Sequence, residues 1–193
     1  MDAPRETPAT YQDVLDAPEH MVAELLHGQL HLQPRPLMEH GSAATTLASD
    51  VNAAFQRARG GPGGWWIIAE PEVHLGDDVV VPDVSGWRRS RMSGPPRGAY
   101  VTLPPDWVCE LLSPSTRRRD LTVKRDIYAA AGVQHLWFVD PEARTLEAFD
   151  LVEGGWHLVA AHGGNGKVRV PPFDAIEIAL ADLWPKAEDT SVP

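Results

Sequence analysis

The sequence predicts an α/β domain in which a central mixed β-sheet is flanked by helices, and three observations predict it. Apolar residues recur every three or four positions in two stretches, near 42–58 and 120–131, the spacing of a helix that buries one face. Six shorter runs rich in Val, Ile, Leu, Phe and Trp lie between and after those stretches, with the β-branched and aromatic content of strands. Strands and helices are interleaved along the chain instead of segregated, which favours a sheet covered by helices. At 193 residues and 43% hydrophobic content, the chain suits one domain with a real core and is short for two. Its core is expected over residues 18–184, with flexible tails at 1–10 and 186–193.

The elements follow in order. ELLHGQLHLQ (24–33) places apolar positions on both sides of a His-Gly turn, a short hairpin. Ala43, Leu47, Val51, Phe55 and Ala58 form one apolar stripe on a helix stopped by GGPGG. WWIIAEPEVHL (65–75) reads as a strand, Gly76-Asp77-Asp78 as a turn, and VVVPDVSGW (79–87) as a second strand whose proline implies an edge or a bulge. Residues 88–105, rich in Arg, Gly and Pro, form a long surface loop. An apolar strand at 107–112 follows, then SPSTRRR, then a helix opened by Asp120 as N-cap and closed by Gly132. QHLWFVD, TLEAFDL and GWHLVAA are three further strands, separated by the turns PEAR and EGG.

The single cysteine, Cys109, has no partner for an intramolecular disulfide, and MDAPRETPAT lacks the basic start and apolar run of a secretory signal. A reducing cytoplasm is therefore expected. No stretch approaches the roughly 20 apolar residues that cross a bilayer, so no membrane partner is expected. The net charge of -10 argues against a nucleic-acid partner until its distribution is considered. Between Arg88 and Arg125 lie nine of the 17 basic residues against three acids, Asp106, Glu110 and Asp120. The chain is thus an acidic body with one basic band, which either meets phosphates or forms a solvated face.

Two acids interrupt apolar strands. Asp83 lies in the run of Val79, Val80 and Val81, and Glu110 lies among Trp107, Val108, Cys109, Leu111 and Leu112, where a carboxylate is costly to bury without a partner or a metal. Each alone reads more readily as an end-of-strand acid reaching solvent or pairing with an arginine; together they point to one shared site. VPD followed twenty-seven residues later by a strand-borne ELL is similar to the PD-(D/E)XK nuclease pattern, with Leu112 in the slot of the lysine. That lysine has a substitute on the next helix. Lys124 falls on the stripe of Leu121, Tyr128 and Ala131 that should pack on the sheet, unless its stem packs there while the ammonium snorkels to water. Zinc is disfavoured, because the eight histidines are scattered and the cysteine is alone. Ser113-Pro114-Ser115 is not a GxSxG elbow, and the glycine clusters GGPGG and GGNGK lack P-loop spacing.

Through ELLHGQL, VPDVS and the long run CELLSPSTRRRDLTVKRDIYAAAGVQHLWFVDPEARTLEAFDL, the chain resembles the Uma-two family of restriction endonucleases over residues 18–183. The resemblance implies the PD-(D/E)XK restriction-endonuclease-like fold, with additional N- and C-terminal strands. It also implies a site in which Asp83 and Glu110 hold Mg²⁺, with Mn²⁺ as a substitute. The backbone carbonyl of Leu111 adds a ligand, and Lys124 orients water or stabilises charge. Glu70 is preferred over Glu72 to complete the metal shell. His40, at the start of the first helix, is expected to touch substrate, as are Arg117, Arg118 and Arg119; a helix-start histidine satisfied by a carbonyl is the alternative for His40. Glu24 reads as a further ligand or as a surface salt bridge. The function expected is Mg²⁺-dependent hydrolysis of DNA by a homodimer. The alternative is a non-catalytic nucleic-acid- or protein-binding regulatory module that retains the fold.

Overall fold

The computed structural model describes residues 7–34 and 38–184. The expected flexible tails lie largely outside the described residues. Positions 7–10 are described and are tied down: Ala9 N–H donates to the Gly28 carbonyl at 2.7 Å, and the Thr10 N–H donates to the Asp13 carboxylate at 2.8 Å. A short helix follows, α1 (Tyr11–Leu15).

The predicted hairpin forms as β1 (Met21–Leu26) and β2 (Gln29–Pro34). His27 and Gly28 both take positive φ, 50° and 73°, which a two-residue turn with the twist of a hairpin demands. Helix α2 (Met38–Val51) starts sooner than its apolar stripe and runs on as a π-helical turn, Asn52–Gln56. Ala43, Leu47, Val51 and Phe55 are its buried stripe.

Two runs that read as single strands are each divided between two sheets. WWIIAEPEVHL becomes β3 (Trp65–Ala69) and β4 (Val73–Leu75), broken at Glu70, whose φ is 47°. VVVPDVSGW becomes β5 (Asp78–Val80) and β6 (Val84–Arg88), broken at Val81-Pro82-Asp83. β4 and β5 join the hairpin in a four-stranded antiparallel sheet of order β2-β1-β5-β4. β3 and β6 join a six-stranded sheet. Asp83 therefore stands on the crossing segment and not within a strand, contrary to the expectation of a strand-borne acid. The proline in this run marks a change of sheet, where its missing N–H costs no ladder bond.

The loop at 88–105 is pinned: Val101 bridges Val73, and the Leu103 carbonyl accepts from the Trp87 indole N–H at 2.8 Å. β7 (Trp107–Leu111) is buried along its whole length. The next helical run begins at Arg117, with Thr116 at the N-cap, and comprises α3 (Arg117–Arg119), a π-helical turn (Asp120–Lys124) and α4 (Arg125–Ala130). Asp120, expected as the cap, is instead inside the run and buried. β8 (His135–Asp140), β9 (Thr145–Val152) and β10 (Gly155–Gly163) complete the large sheet, of order β10-β9-β8-β7-β6-β3. β7 and β8 are parallel and all other pairs antiparallel, so the sheet is mixed and the helical run is the crossover that a parallel pair requires. A small pair, β11 (Lys167–Val168) and β12 (Ile178–Ala179), lies near the end of the chain. Among the described residues no helix is long and apolar enough to cross a membrane.

Alternation along β7 and β8 sorts the core into two layers. Trp107, Cys109, Leu111, Trp137 and Val139 face α2 and the C-terminal segment around Phe173. Val108, Leu112, Leu136 and Phe138 face α4 and the small sheet. Glu110 shares the second face with Val108 and Leu112, and so points at the helix that carries Lys124. Phe173, fully buried, packs on Phe55, Trp65, Trp107 and Trp137 at centroid distances of 4.6, 5.0, 4.7 and 5.7 Å. Phe173→Ala is therefore expected to cost about 3–5 kcal/mol in urea denaturation; a loss under about 1 kcal/mol would show that this layer does not depend on the ring.

Candidate active site

Three elements and one crossing segment bring five charged side chains together. Lys124 enters from the π-helical turn, its ammonium 2.7 Å from Glu110 Oε1, 3.0 Å from Glu24 Oε1 and 3.9 Å from Asp120 Oδ1. It is only 2% exposed, so the ion pairs and not solvent stabilise its charge. The snorkelling alternative is excluded. Tyr128, one turn further on, donates its hydroxyl to Glu110 Oε1. The π-helical turn widens the ladder where Asp120 and Lys124 must both face inward, a common place for such a turn.

Asp83 is fixed differently. Its Oδ2 accepts the Leu111 N–H at 2.7 Å and lies 3.6 Å from His40 Nε2. His40 Nε2–H donates to the Leu111 carbonyl at 2.7 Å, while its Nδ1 is buried without a hydrogen-bond partner in the protein. Both backbone groups of Leu111 are thus engaged, its N–H by the acid and its carbonyl by the imidazole. Asp83, Glu110, Leu111, His40, Asp120 and Lys124 all line one cleft of about 730 Å³, which Ser113, Ser115 and Thr116 also line.

Burial dominates the electrostatics. It pushes Asp83 up from its ordinary 3.8 to about 6, against the opposing pull of His40, the Leu111 N–H and Lys124. It pushes Glu110 up to about 8, with Lys124 pulling down and Asp120, Asp83 and Glu24 adding to the rise. Burial alone would lower Lys124, yet Glu110 and Glu24 hold it well above the ordinary lysine range, so the ammonium stays charged. The cleft is short of positive charge.

The remaining residues expected at the site do not line the cleft. Glu70 is exposed at the positive-φ turn after β3 and does not line the cleft; only its backbone N–H reaches the site region, donating to the Asp83 carbonyl at 3.0 Å. Glu72 is occupied outside it by the Tyr11 hydroxyl at 2.7 Å and His74 Nε2 at 2.8 Å. Arg117 pairs with Asp140, and Arg119 bonds Gln33 and lies 3.4 Å from Glu24. Arg118 is exposed on the same turn. Much of the basic band serves the fold: Arg88 and Arg89 sit over Trp65 and Trp66 at 4.4 and 4.2 Å, and Arg91 pairs with Asp106 at 3.0 Å. Glu24 is no surface salt bridge, being 0% exposed. The Glu110–Tyr128 bond and the inward Asp120 lie beyond the sequence reading, although Asp120, Lys124 and Tyr128 are spaced by four, the signal of a shared helix face.

The cleft is lined by the carboxylates of Asp83 and Glu110 and by Leu111, with the His40 imidazole beside the Leu111 carbonyl. Among the described residues no three His, Cys, Asp or Glu side chains converge as a metal cage. Oxygen donors of this kind fit a hard divalent cation such as Mg²⁺, which binds through one or two carboxylates and keeps several waters.

The raised Asp83 has a measurable consequence in the metal-free protein. The folded state binds this proton more tightly than the unfolded state, so stability falls as pH rises from about 4 to about 6 and remains lower above. At about 1.4 kcal/mol per tenfold in proton affinity, the penalty is on the order of 2–3 kcal/mol. Asp83→Asn, which can still accept the Leu111 N–H, should lose this dependence and gain stability at pH 7.5 over the parent. Urea midpoints at pH 4.5 and 7.5 compare them, and identical pH dependence in both proteins would refute the account.

The profile of the Uma2 family, described as "Putative restriction endonuclease", matches residues 8–181. A crystal structure described as a "putative nuclease belonging to DUF820" from Anabaena variabilis is similar in fold, with a TM-score of 0.73 and 23% identity, covering 92% of this chain and 98% of that one. No curated protein matches this chain. With nearly all of its described residues inside the family's profile and its mixed sheet shared with that structure, the chain belongs to the Uma2 family.

Proposed function

We propose that the chain is a divalent-metal-dependent nuclease that hydrolyses phosphodiester bonds of DNA, with Mg²⁺ as the ion and Mn²⁺ as its substitute. The observation that carries this reading is the 2.7 Å contact between Lys124 Nζ and Glu110 Oε1. A helix delivers an ammonium to the carboxylate that in related motifs receives it from the strand, at the position held here by Leu112. Family membership and the nuclease-like fold support the same class.

Asp83, Glu110 and the Leu111 carbonyl would hold the ion. When bound, the ion supplies Lewis acidity toward a phosphoryl oxygen and lowers the pKa of a water. The chain's own groups do the rest. The Leu111 N–H orients Asp83, and the Tyr128 hydroxyl restrains Glu110. Lys124 offers a fixed positive charge for the negative charge that develops on the phosphate. His40 lines the cleft with its Nε2–H held by the Leu111 carbonyl, and would turn from that carbonyl to meet a substrate phosphate. Arg118 is exposed, and Arg117 and Arg119 are engaged by Asp140 and Glu24, so Arg118 would be the member of the run to meet a flanking phosphate, and a homodimer would place two such clefts on the two strands of a duplex.

One observation favours a second reading, a non-catalytic binding module. Glu110 is already satisfied by Lys124 and Tyr128, and most arginines of the basic band are engaged internally. A cleavage assay on DNA with Mg²⁺ or Mn²⁺, against a chelator control, separates the two. Lys124→Met is expected to lower kcat about 100-fold or more while Mn²⁺ still binds by calorimetry, and Asp83→Ala to abolish Mn²⁺ binding. A parent protein that binds no Mn²⁺ and cuts nothing would leave the binding module as the reading. DNA contact has its own test: Arg118→Ala should reduce the slope of log affinity against log salt by about one, and an unchanged slope would remove Arg118 from the interface.

A further inference from the structure

We infer that Glu24 is a positioning residue that holds Lys124 in place independently of Glu110; the inference rests on the nuclease reading and assigns a new part of that site. Glu24 belongs to β1 of the small sheet, not to the large sheet that carries Glu110. Its side chain is 0% exposed, and the cleft is lined by Asp83, Glu110, Asp120 and Lys124 but not by Glu24. It therefore touches neither a cation nor a substrate in that cleft.

Its partners define what it does. Oε1 accepts the Val81 N–H at 2.9 Å and lies 3.0 Å from Lys124 Nζ, while Oε2 lies 3.4 Å from Arg119 Nη2. Val81 begins the crossing segment that ends in Asp83, so one carboxylate fixes both the lysine and the strand link that bears the acid. Lys124 is held closest by two carboxylates, Glu110 at 2.7 Å and Glu24 at 3.0 Å, with Asp120 farther off at 3.9 Å; Glu110 and Asp120 line the cleft, where a cation would compete for them, and Glu24 does not. With Glu24 present, Glu110 can turn toward a cation while the ammonium keeps a buried counter-charge. Without it, the ammonium is left with Glu110 and the more distant Asp120, both of which line the cleft, and competes with the cation for them.

A purely structural ion pair makes a different forecast, so the test combines folding, metal binding without catalysis, and kinetics. Glu24→Gln is near-isosteric and uncharged; Glu24→Asp keeps the charge and shortens the reach by one methylene. Folding is followed by thermal melts, Mn²⁺ affinity by calorimetry on the metal-free proteins, and kcat and KM on DNA. In the folded Gln variant, Mn²⁺ affinity and kcat should each fall about 10–100-fold, the range for groups that orient metal ligands, with KM within about twofold of the parent. The Asp variant should recover part of both. A folded Gln variant with the parent's Mn²⁺ affinity and kcat overturns the inference, as do losses that merely track the folded fraction. If the Gln variant does not fold, the Asp variant decides: parent values overturn the inference, and reduced affinity and kcat in a folded protein support it. A parent that neither binds Mn²⁺ nor cuts DNA fails the nuclease reading first and takes this inference with it, whereas an active parent with an unaffected Gln variant fails the inference alone.

Discussion

The buried ammonium of Lys124 is the constraint around which the two sheets are arranged. A lysine 2% exposed is tolerable only because Glu110 and Glu24 stand 2.7 and 3.0 Å away, and those acids are tolerable only because of the lysine. Removing one member of such a buried set typically costs about 3–5 kcal/mol, since the others are left uncompensated. The members come from different elements: Glu24 from the small sheet, Glu110 from the large one, Lys124 and Asp120 from the crossover helix. The charge cluster thus ties the small sheet, the large sheet and the crossover helix together at one point, beside the apolar contacts of the second core layer, which draw on both sheets and on α4.

The crossing at Val81-Pro82-Asp83 follows from the same need. A chain leaving one sheet for another must find partners for its backbone groups. Here the Val81 N–H goes to Glu24, Pro82 has no N–H, and the Asp83 carbonyl accepts from Glu70. The link is short enough to hold Asp83 at the end of β6, where its carboxylate meets the Leu111 N–H across the β6–β7 pair. A residue placed between strands can project along the sheet edge, which a residue in the middle of a ladder cannot.

Features that depend on local periodicity are legible in the sequence: the hairpin at His27-Gly28, the stripe of α2, the helix ended by Gly132, and the strands from Trp107 onward. The sheet changes at Glu70 and Pro82 are not, because a continuous apolar run looks the same whether its two halves pair with one sheet or two, and strands of three residues carry no period of their own. Asp120 reads as a cap because an acid before a helical stripe ordinarily is one; only its spacing from Lys124 and Tyr128 betrays an inward face. Glu24 does carry a signal of burial in the sequence. It opens an ELL in an apolar strand, as Glu110 does, and a carboxylate is equally costly to bury at either position.

Under the proposed function, the cost of this arrangement and its use are the same quantity. Burial raises Asp83 and Glu110, so the metal-free cleft is held in a state that ionised carboxylates destabilise. A divalent cation relieves that penalty directly, because it favours the ionised forms that burial disfavours. Lys124 does so only in part, since one positive charge faces Glu110, Glu24 and Asp120. The lysine satisfies enough of the charge for the protein to fold, and leaves enough unsatisfied for a cation to bind. Delivery from the helix sets the ammonium between Glu110 on β7 and Glu24 on β1, and Glu24, which does not line the cleft, holds it without entering the space a cation would take.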